Sequence, residues 1–203
     1  MDDEVTRRLV HASTSVVPLS YVFLDAVTWR AVQGFLVVAV AVATLLEVVR
    51  LYVGLDWAVF DRLTREYEQD NLAGYFLGTV GMTAVALAFP PTETALVASL
   101  GPSPVAVPAI LMLTVADPVS GLLGSGTLRA AKQAWVLLAT FGVATLLAVP
   151  FVPSIAAVAG GVAATVADGL KPVVRGYVVD DNLSIPVAAA AAMYVVVVWP
   201  SVV

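Results

Sequence analysis

Residues 133–167 read QAWVLLATFGVATLLAVPFVPSIAAVAGGVAATVA and contain no Asp, Glu, Lys or Arg. The sequence Pro-Phe-Val-Pro at 150–153 divides this stretch, and two prolines so close together are too rigid to lie inside one helix. Hydrocarbon excludes charged side chains, and about 20 apolar residues are enough to cross a bilayer as a helix. The stretch therefore predicts two membrane helices joined by a short turn.

The rest of the chain has the same apolar character. Of its 203 residues 60% are hydrophobic and 12% are charged, and the mean hydropathy is +0.95. Soluble domains are about 45–50% apolar and about 25% charged, so the composition excludes a soluble globular protein. We expect an all-α integral membrane protein with a single transmembrane helical domain over residues 1–203. The gaps between charged residues predict seven transmembrane helices, at about 9–26, 31–53, 71–89, 104–125, 131–149, 154–171 and 184–200.

The fourth predicted helix is expected to have a broken or re-entrant beginning, because Pro91, Pro102, Pro104 and Pro108 lie at or before its first turns. The segment between the second and third helices has a different pattern. Its apolar side chains recur at three- and four-residue spacing, at Trp57, Phe60, Leu63 and Tyr67. This spacing predicts a short amphipathic helix in the membrane interface, which is either a lid facing the substrate or a solvated connector packed on the bundle.

Basic residues decide the predicted orientation, because Lys and Arg concentrate on the cytoplasmic side of a membrane. With a cytoplasmic N-terminus and seven helices, only Arg30 of the ten basic residues falls outside. We therefore expect a protein of the cell membrane with its N-terminus in the cytoplasm and its C-terminus outside. The nine basic residues on the cytoplasmic side would be Arg7, Arg8, Arg50, Arg62, Arg65, Arg129, Lys132, Lys171 and Arg175.

Residue types limit the chemistry. The chain has no cysteine and one histidine, His11, which excludes disulfides, thiolate sites and sites with several histidines. Any bound metal would need oxygen ligands, as magnesium, calcium and manganese prefer. The apolar composition makes the lipid bilayer the expected partner, and nucleic acid is not expected, although the net charge of −5 is unusual for a membrane protein. The chain has eight Arg against two Lys, and its loops are acidic, which suggests a halophile-like adaptation to a salt-rich cytoplasm. Loss of fold or activity at low salt would support this hypothesis. Indifference to salt would contradict it.

Ionisable side chains inside predicted spans are functional candidates, since each costs roughly 2.5–3.5 kcal/mol on insertion. Asp117, Ser120, Gly121 and Gly124 are spaced at i, i+3, i+4 and i+7, so the carboxylate shares a helix face with very small residues. Such a face lets another helix approach closely, and equally lets a phosphate chain approach the backbone. A packing seam alone does not need a buried carboxylate, which favours function.

Asp168 repeats this arrangement, with Gly160 and Ala164 at four-residue intervals before it. Magnesium typically takes one or two protein carboxylates and completes its shell with water and substrate phosphates. If Asp117 and Asp168 meet near the cytoplasmic face, they are suited to a magnesium-bound nucleoside triphosphate.

Two further polar clusters lie at predicted helix ends. Asp180, Asp181 and Asn182 precede Ser184, which is predicted to cap the last helix with Pro186 in its first turn. Three carboxylate or amide groups exceed what one cap needs, so a second metal or nucleotide contact is the functional alternative. Glu47 and Arg50, three residues apart, are expected to pair on one helix face, either as a structural pair or as a ligand contact. The only lysines, Lys132 and Lys171, would neutralise phosphates or simply anchor the chain at the membrane.

Taken in order, these residues resemble the motifs of the dolichol kinase and phytol kinase family, whose members phosphorylate polyprenyl alcohols, typically with CTP. The resemblance covers most of the chain, and its most specific part is Asp181-Asn-Leu-Ser-Ile-Pro186, similar to the family's Asp-Asn-hydroxyl-Ile/Val-Pro. The other matching segments are Arg7-Arg-Leu-Val-His11, Glu47-Val-Val-Arg50, Arg65-Glu-Tyr-Glu68 with Gly74-Tyr-Phe-Leu-Gly78, and Ala116-Asp-Pro-Val-Ser-Gly-Leu-Leu-Gly124. The chain departs from the family pattern in three places: only Lys132 remains of a Lys-Ser-x-x-Gly element, Asp168 replaces a glutamate, and Ala116 replaces a glycine.

The resemblance implies a CTP-dependent lipid kinase that phosphorylates a dolichol-, phytol- or geranylgeraniol-type alcohol at the cytoplasmic face, with Mg²⁺ as cofactor. Magnesium would be held by Asp117 and Asp181. The catalytic residues would be Asp117, Asp168, Glu68 and Lys132, with Glu68 or Asp168 accepting the proton of the lipid hydroxyl. The nucleotide would contact Ser120, Gly121, Gly124, Arg129, Lys171 and Asn182, and the acceptor would contact His11, Glu47 and Arg50.

Two other functions remain open from the sequence. A lipid cytidylyltransferase would use the same nucleotide but transfer CMP, although the Lys-Asp and Gly-rich C-terminal signature of phosphatidate cytidylyltransferases is absent. A transporter or structural membrane protein would use intramembrane acids differently. Transporters place polar groups near the bilayer midplane and often contain internal repeats, whereas the charges here are predicted to lie on one side.

Overall fold

Helices make up most of the computed structural model, which describes residues 3–54, 57, 60, 64, 68–69, 71–97, 99–124, 133–170, 173–174, 177–178 and 180–198. Two short antiparallel strands precede the last helix and pair Val173 with Val178. The helices are α1 (Asp3–Ser13), α2 (Val16–Phe23), α3 (Trp29–Val53), α4 (Gly74–Ala88), α5 (Ala106–Leu123), α6 (Ala134–Ala148), α7 (Ser154–Gly169) and α8 (Asp181–Val198). The strands are β1 (Val173–Val174) and β2 (Tyr177–Val178).

Three of the helices in the described part of the chain are long and apolar enough to cross a membrane: α3, α5 and α8. This number is smaller than the seven predicted. Helices α4, α6 and α7 are apolar but only 15, 15 and 16 residues long. At about 1.5 Å per residue each covers roughly 22–24 Å, which is less than the hydrocarbon thickness of about 30 Å.

The hairpin predicted in residues 133–167 is confirmed. Helix α6 ends at Ala148, the chain turns through residues 149–153, which include both prolines, and α7 begins at Ser154. The two helices pack closely where Gly161 of α7 faces Thr145 of α6, since a Cβ at Gly161 would overlap the Thr145 hydroxyl. The two prolines therefore end one helix and start the next, as the sequence indicated.

The first predicted helix is wrong in its bounds, because two helices, α1 and α2, replace a single helix at 9–26. The break falls at Thr14 and Ser15. Pro18 explains it: proline has no N–H to donate to the carbonyl of Thr14, and its ring conflicts with the carbonyl four residues before it. Helix α1 packs against the second half of α5, and α2 packs against its first turns.

Helix α5 forms the centre of the molecule. Every residue from Val105 to Thr114 is buried, and α4, α6 and α8 all pack around this segment. Its first turn is at Ala106, and the described residues before it, 89–97 and 99–105, are not helical, as expected for a broken beginning of the fourth predicted helix. Helix α8 lies between α4 and α7, and Gly160 of α7 leaves room for the side chain of Met193.

A buried glutamine that the charge pattern did not indicate holds the proline-rich segment before α5 in place. This segment is described at residues 89–97 and 99–105. The Gln33 amide nitrogen donates to the carbonyls of Ala86 and Val97, at 2.8 Å each, and its oxygen accepts from the Leu96 N–H at 2.6 Å. Gln33 thus satisfies backbone groups of a segment that cannot form its own helix, which buried irregular backbone requires.

The last helix begins three residues before its predicted start at residue 184. Asp180 caps it, because Asp180 Oδ1 accepts the Asn182 N–H at 2.9 Å. Ser184 is not the cap, since its hydroxyl donates to the Asp180 carbonyl within the first turn. Pro186 lies inside the helix and has no N–H to donate to the Asn182 carbonyl. That carbonyl faces Gly81 of α4 so closely that a Cβ on Gly81 would come within 3.1 Å of its oxygen.

The predicted amphipathic helix falls largely outside the described residues, including Leu63 and Tyr67. Of its apolar positions, Trp57 and Phe60 are described, and their rings are stacked with centroids 5.8 Å apart. Phe60 is buried, so this part of the segment packs against the protein.

Candidate functional site

Three carboxylates from three different helices meet at one end of the bundle. Asp117 of α5, Asp168 of α7 and Asp181 of α8 each place one oxygen within 4.8 Å of the others. Asp168 and Asp181 are only 1% and 4% exposed, and Asp117 is partly exposed. Like charges this close repel one another, so the cluster needs compensating positive charge or protons.

A widened helical turn positions Asp117. Residues Met112–Ala116 form a π-helical turn, and the Asp117 N–H bonds to the carbonyl of Met112, five residues earlier. Pro118 contributes to this geometry because it has no N–H for the carbonyl of Thr114. Single π turns inside α-helices frequently occur at functional sites. This turn rotates Asp117 relative to the buried apolar part of α5.

Ser120, one turn after Asp117, orients the second carboxylate. Its hydroxyl donates to Asp168 Oδ2 at 2.6 Å, and both side chains are buried. Hydrogen bonds to a charged acceptor are shorter and stronger than neutral ones. Partners of this kind typically hold carboxylate ligands in the orientation a metal needs. The predicted small-residue face of α5 therefore contains one residue that fixes Asp168.

Asn182 is packed against α4. Its amide nitrogen donates to Asp180 Oδ1 at 2.6 Å, with a longer contact of 3.5 Å to Asp181 Oδ1. A Cβ on Gly74 would come within 2.8 Å of the Asn182 amide nitrogen. Helix α4 thus begins with a glycine because the asparagine side chain occupies the adjacent space.

A cavity of about 170 Å³ lies next to Asp117 and Asn182. One part of its wall is polar and another is apolar, so the cavity is suited to a ligand with both characters. The polar side chains of the wall are those of Arg7, Arg8, His11, Thr14, Glu68, Tyr75, Thr79, Asp117 and Asn182. The apolar wall includes Val10, Met82 and Leu113.

Helix α1 packs against α5 and forms part of the wall of this cavity. Arg7, Val10 and His11 of α1, with Thr14 directly after its end, line the cavity at i, i+3, i+4 and i+7, the spacing of one helix face. His11 Nδ1 lies 3.6 Å from Asp117 Oδ2. Of these residues, His11 was predicted as a site residue, but Arg7 and Arg8 were not. Their spacing of four and three residues before His11 was the signal that could have indicated them.

Glu47 and Arg50 form the predicted pair, close to the beginning of α4. Arg50 Nε lies 2.8 Å from Glu47 Oε2, and Arg50 Nη2 lies 3.1 Å from Glu47 Oε1. The guanidinium also donates to the carbonyls of Glu68, Gln69 and Asn71. On the other side, Glu47 Oε1 accepts the Ala73 N–H at 2.8 Å.

This pair therefore joins the end of α3 to residues 68–69 and 71–73. Neither Glu47 nor Arg50 is among the residues that line the cavity, whereas Glu68, 3% exposed, does line it. The pair lies behind the cavity wall and holds the backbone that carries Glu68. Sequence spacing alone could not distinguish this position from direct contact with a ligand.

Four predicted site residues remain to be placed. Arg129, Lys132 and Lys171 lie outside the described residues. Gly124 ends α5, and a Cβ there would come closest to the carbonyls of Ser120 and Gly121 in its own helix.

Comparison with protein-family models, with curated proteins and with solved structures gave no match. The chemical argument therefore depends on the side chains themselves. Carboxylate oxygens from three helices, one fixed by a serine hydroxyl, are the donor type that hard divalent cations prefer. Asp117, Asp168 and Asp181 are the residues that could hold such an ion.

Proposed function

We propose that this protein is a membrane phosphotransferase that moves the terminal phosphoryl group of a nucleoside triphosphate to the hydroxyl of a polyprenyl alcohol. One observation carries the proposal: three carboxylates from three helices converge beside a cavity that has both cationic and apolar walls. Phosphoryl transfer depends mainly on positioning and charge neutralisation, and these groups are of the kinds it requires. The resemblance to polyprenol kinases favours CTP as the donor.

In this proposal Asp117, Asp168 and Asp181 hold Mg²⁺. Bound there, the ion supplies neutralisation of charge on the donor phosphates. The serine hydroxyl on Asp168 keeps that carboxylate turned toward the cluster, so the ligand set needs little rearrangement to bind.

Glu68 is the proposed proton acceptor, because its side chain is buried and lines the same cavity as Asp117. The oxygen of the alcohol forms a bond to the γ-phosphorus, the bond from that phosphorus to the bridging oxygen breaks, and the nucleoside diphosphate leaves. The hydroxyl proton passes to the Glu68 carboxylate. Val10, Met82 and Leu113 contact the first apolar carbons of the alcohol, and the rest of the chain extends into the bilayer.

A labelled-nucleotide assay tests this function. Purified protein in detergent is incubated with geranylgeraniol, magnesium and CTP carrying label on either the γ- or the α-phosphate. We expect γ-label in the lipid product and none from the α-label. Transfer of the α-label to a phosphorylated lipid would instead identify a cytidylyltransferase. Absence of turnover with CTP, ATP and GTP would contradict the proposal and favour a transporter or structural protein.

We further propose that α4, α6 and α7 also cross the membrane and that α1 and α2 together form one more span, giving seven spans with a cytoplasmic N-terminus. The carboxylate cluster and the Glu47–Arg50 pair would then lie at the cytoplasmic end, and the proline-rich segment held by Gln33 at the external end. Because the chain has no cysteine, single cysteines report accessibility without background. In right-side-out vesicles, a membrane-impermeant maleimide should label Thr94→Cys and should label Gln69→Cys only after permeabilisation. The reverse pattern would contradict this orientation.

A further inference from the structure

The cationic face of α1 is not used by the chemistry proposed so far. Arg7 and Arg8 both line the cavity, and both are partly buried. Helix α1 packs against the second half of α5, where Asp117 lies. The arginines are therefore on the helix that packs beside Asp117.

Arg8 occupies a specific place on α5. Its guanidinium lies where a Cβ on Gly121 would be, because an added Cβ would overlap Nη1 and Cζ of Arg8. Gly121 is four residues after Asp117, so its Cα lies about one helical turn, roughly 5.4 Å, further along α5. His11, three residues after Arg8, is the residue that faces Asp117. Two successive turns of α1 therefore lie against two successive turns of α5, with Arg8 at Gly121 and His11 at Asp117.

This arrangement has the geometry of a phosphate subsite. A guanidinium presents several N–H donors in a plane and binds phosphate oxygens with charge-assisted hydrogen bonds. A phosphate chain bound in the cavity would have the guanidinium donors of α1 and a cation held by the carboxylates within its reach. Gly121 makes this possible because any larger residue would displace the guanidinium from the cavity wall.

We propose that α1 carries the phosphate-binding subsite, in which Arg8, seated on Gly121, and its neighbour Arg7 bind the phosphate chain of the donor. The identity of the donor rests on the proposed function, but the ligand chemistry is that of any polyphosphate. Arg8 contacts substrate and acts in binding, and Gly121 is a positioning residue that acts through Arg8.

Two substitutions that remove the guanidinium in different ways test the proposal. Arg8→Ala deletes it, and Gly121→Ala keeps its charge but displaces it. Losing charge-assisted hydrogen bonds should raise the KM for the nucleotide about 10- to 100-fold in both variants, with the KM for the alcohol unchanged. The double variant should be no worse than the poorer single variant. Gly142→Ala is the matched control, since nothing lies within 4 Å of a Cβ at that position.

Binding of inorganic tripolyphosphate with magnesium gives a readout that does not need turnover. It should raise the thermal unfolding midpoint of the wild type and of Gly142→Ala, but not of Arg8→Ala or Gly121→Ala. This result would support the subsite even if no lipid were phosphorylated, so its outcome is separate from that of the labelled-nucleotide assay. Arg8→Lys, which keeps the charge, should retain part of the shift and serves if the alanine variant does not fold.

Two results would overturn the proposal. One is a Gly121→Ala protein that binds tripolyphosphate and nucleotide as the wild type does. The other is an Arg8→Ala protein that is less stable but has an unchanged KM for the nucleotide, which would assign Arg8 only to neutralising the carboxylates.

Discussion

The Asp117→Asn variant is expected to lose phosphoryl transfer by at least about 10²- to 10³-fold in kcat, the loss typical when a preorganised electrostatic group is removed from an active site. Asparagine has nearly the same shape as aspartate, and Asp117 is the most exposed member of the cluster, so the fold should persist. Lower repulsion from Asp168 and Asp181 should keep the stability at or above that of the wild type. The measurements are the rate of γ-label transfer and the thermal unfolding midpoint of the same preparation.

Asp25→Asn is the matched control for this variant. Asp25 is an exposed carboxylate in the turn between α2 and α3, away from the cluster, and its substitution should change neither the rate nor the stability. Asp181→Asn should share the loss of activity seen for Asp117→Asn. An Asp117→Asn protein that is fully active would remove Asp117 from the site.

The Arg50→Met variant is expected to lose about 3–5 kcal/mol of unfolding free energy, because it leaves the Glu47 carboxylate buried without its cation. Both side chains are buried, and the substitution also removes the donors to the backbone carbonyls of Glu68, Gln69 and Asn71. Chemical or thermal unfolding in detergent, followed by circular dichroism, measures the loss. Activity should fall as well, because the segment carries Glu68 into the cavity.

A double-mutant cycle separates the charge effect from the lost contacts. Glu47→Leu combined with Arg50→Met should recover much of the stability, since replacing a whole buried ion pair by apolar residues is often neutral or stabilising. Arg30→Met, at an exposed position, is the control and should be nearly neutral. Equal stability of Arg50→Met and Arg30→Met would show that the Glu47–Arg50 pair does not hold this segment.

Several features could be predicted because they depend on local sequence. The helical hairpin was predictable from a charge-free stretch and two prolines, and its helices begin and end within a few residues of the expected positions. The Glu47–Arg50 pair followed from its three-residue spacing. The start of α8 was predicted three residues late, because Ser184 and Asp180 are both good capping residues and only packing against α4 favours the earlier one.

Other features could not be predicted because they depend on contacts between distant segments. Gln33 is uncharged, so a search for charged residues passed over it, yet it bonds to residues more than 50 positions away. Helix α1 was expected to be part of a span. Its break from α2 follows from Pro18, but its packing on α5 depends on a glycine at position 121.

By itself the sequence determined an apolar helical protein whose few charged residues collect near helix ends, because the cost of placing charge in hydrocarbon acts on each segment separately. The tertiary structure decided which of these charges meet. It brought Asp117, Asp168 and Asp181 together, kept Glu47 and Arg50 behind the cavity, and set Arg8 against Gly121. The physical reason is that helix packing follows the shapes of the small and large side chains of all the helices at once, and no single segment contains that information.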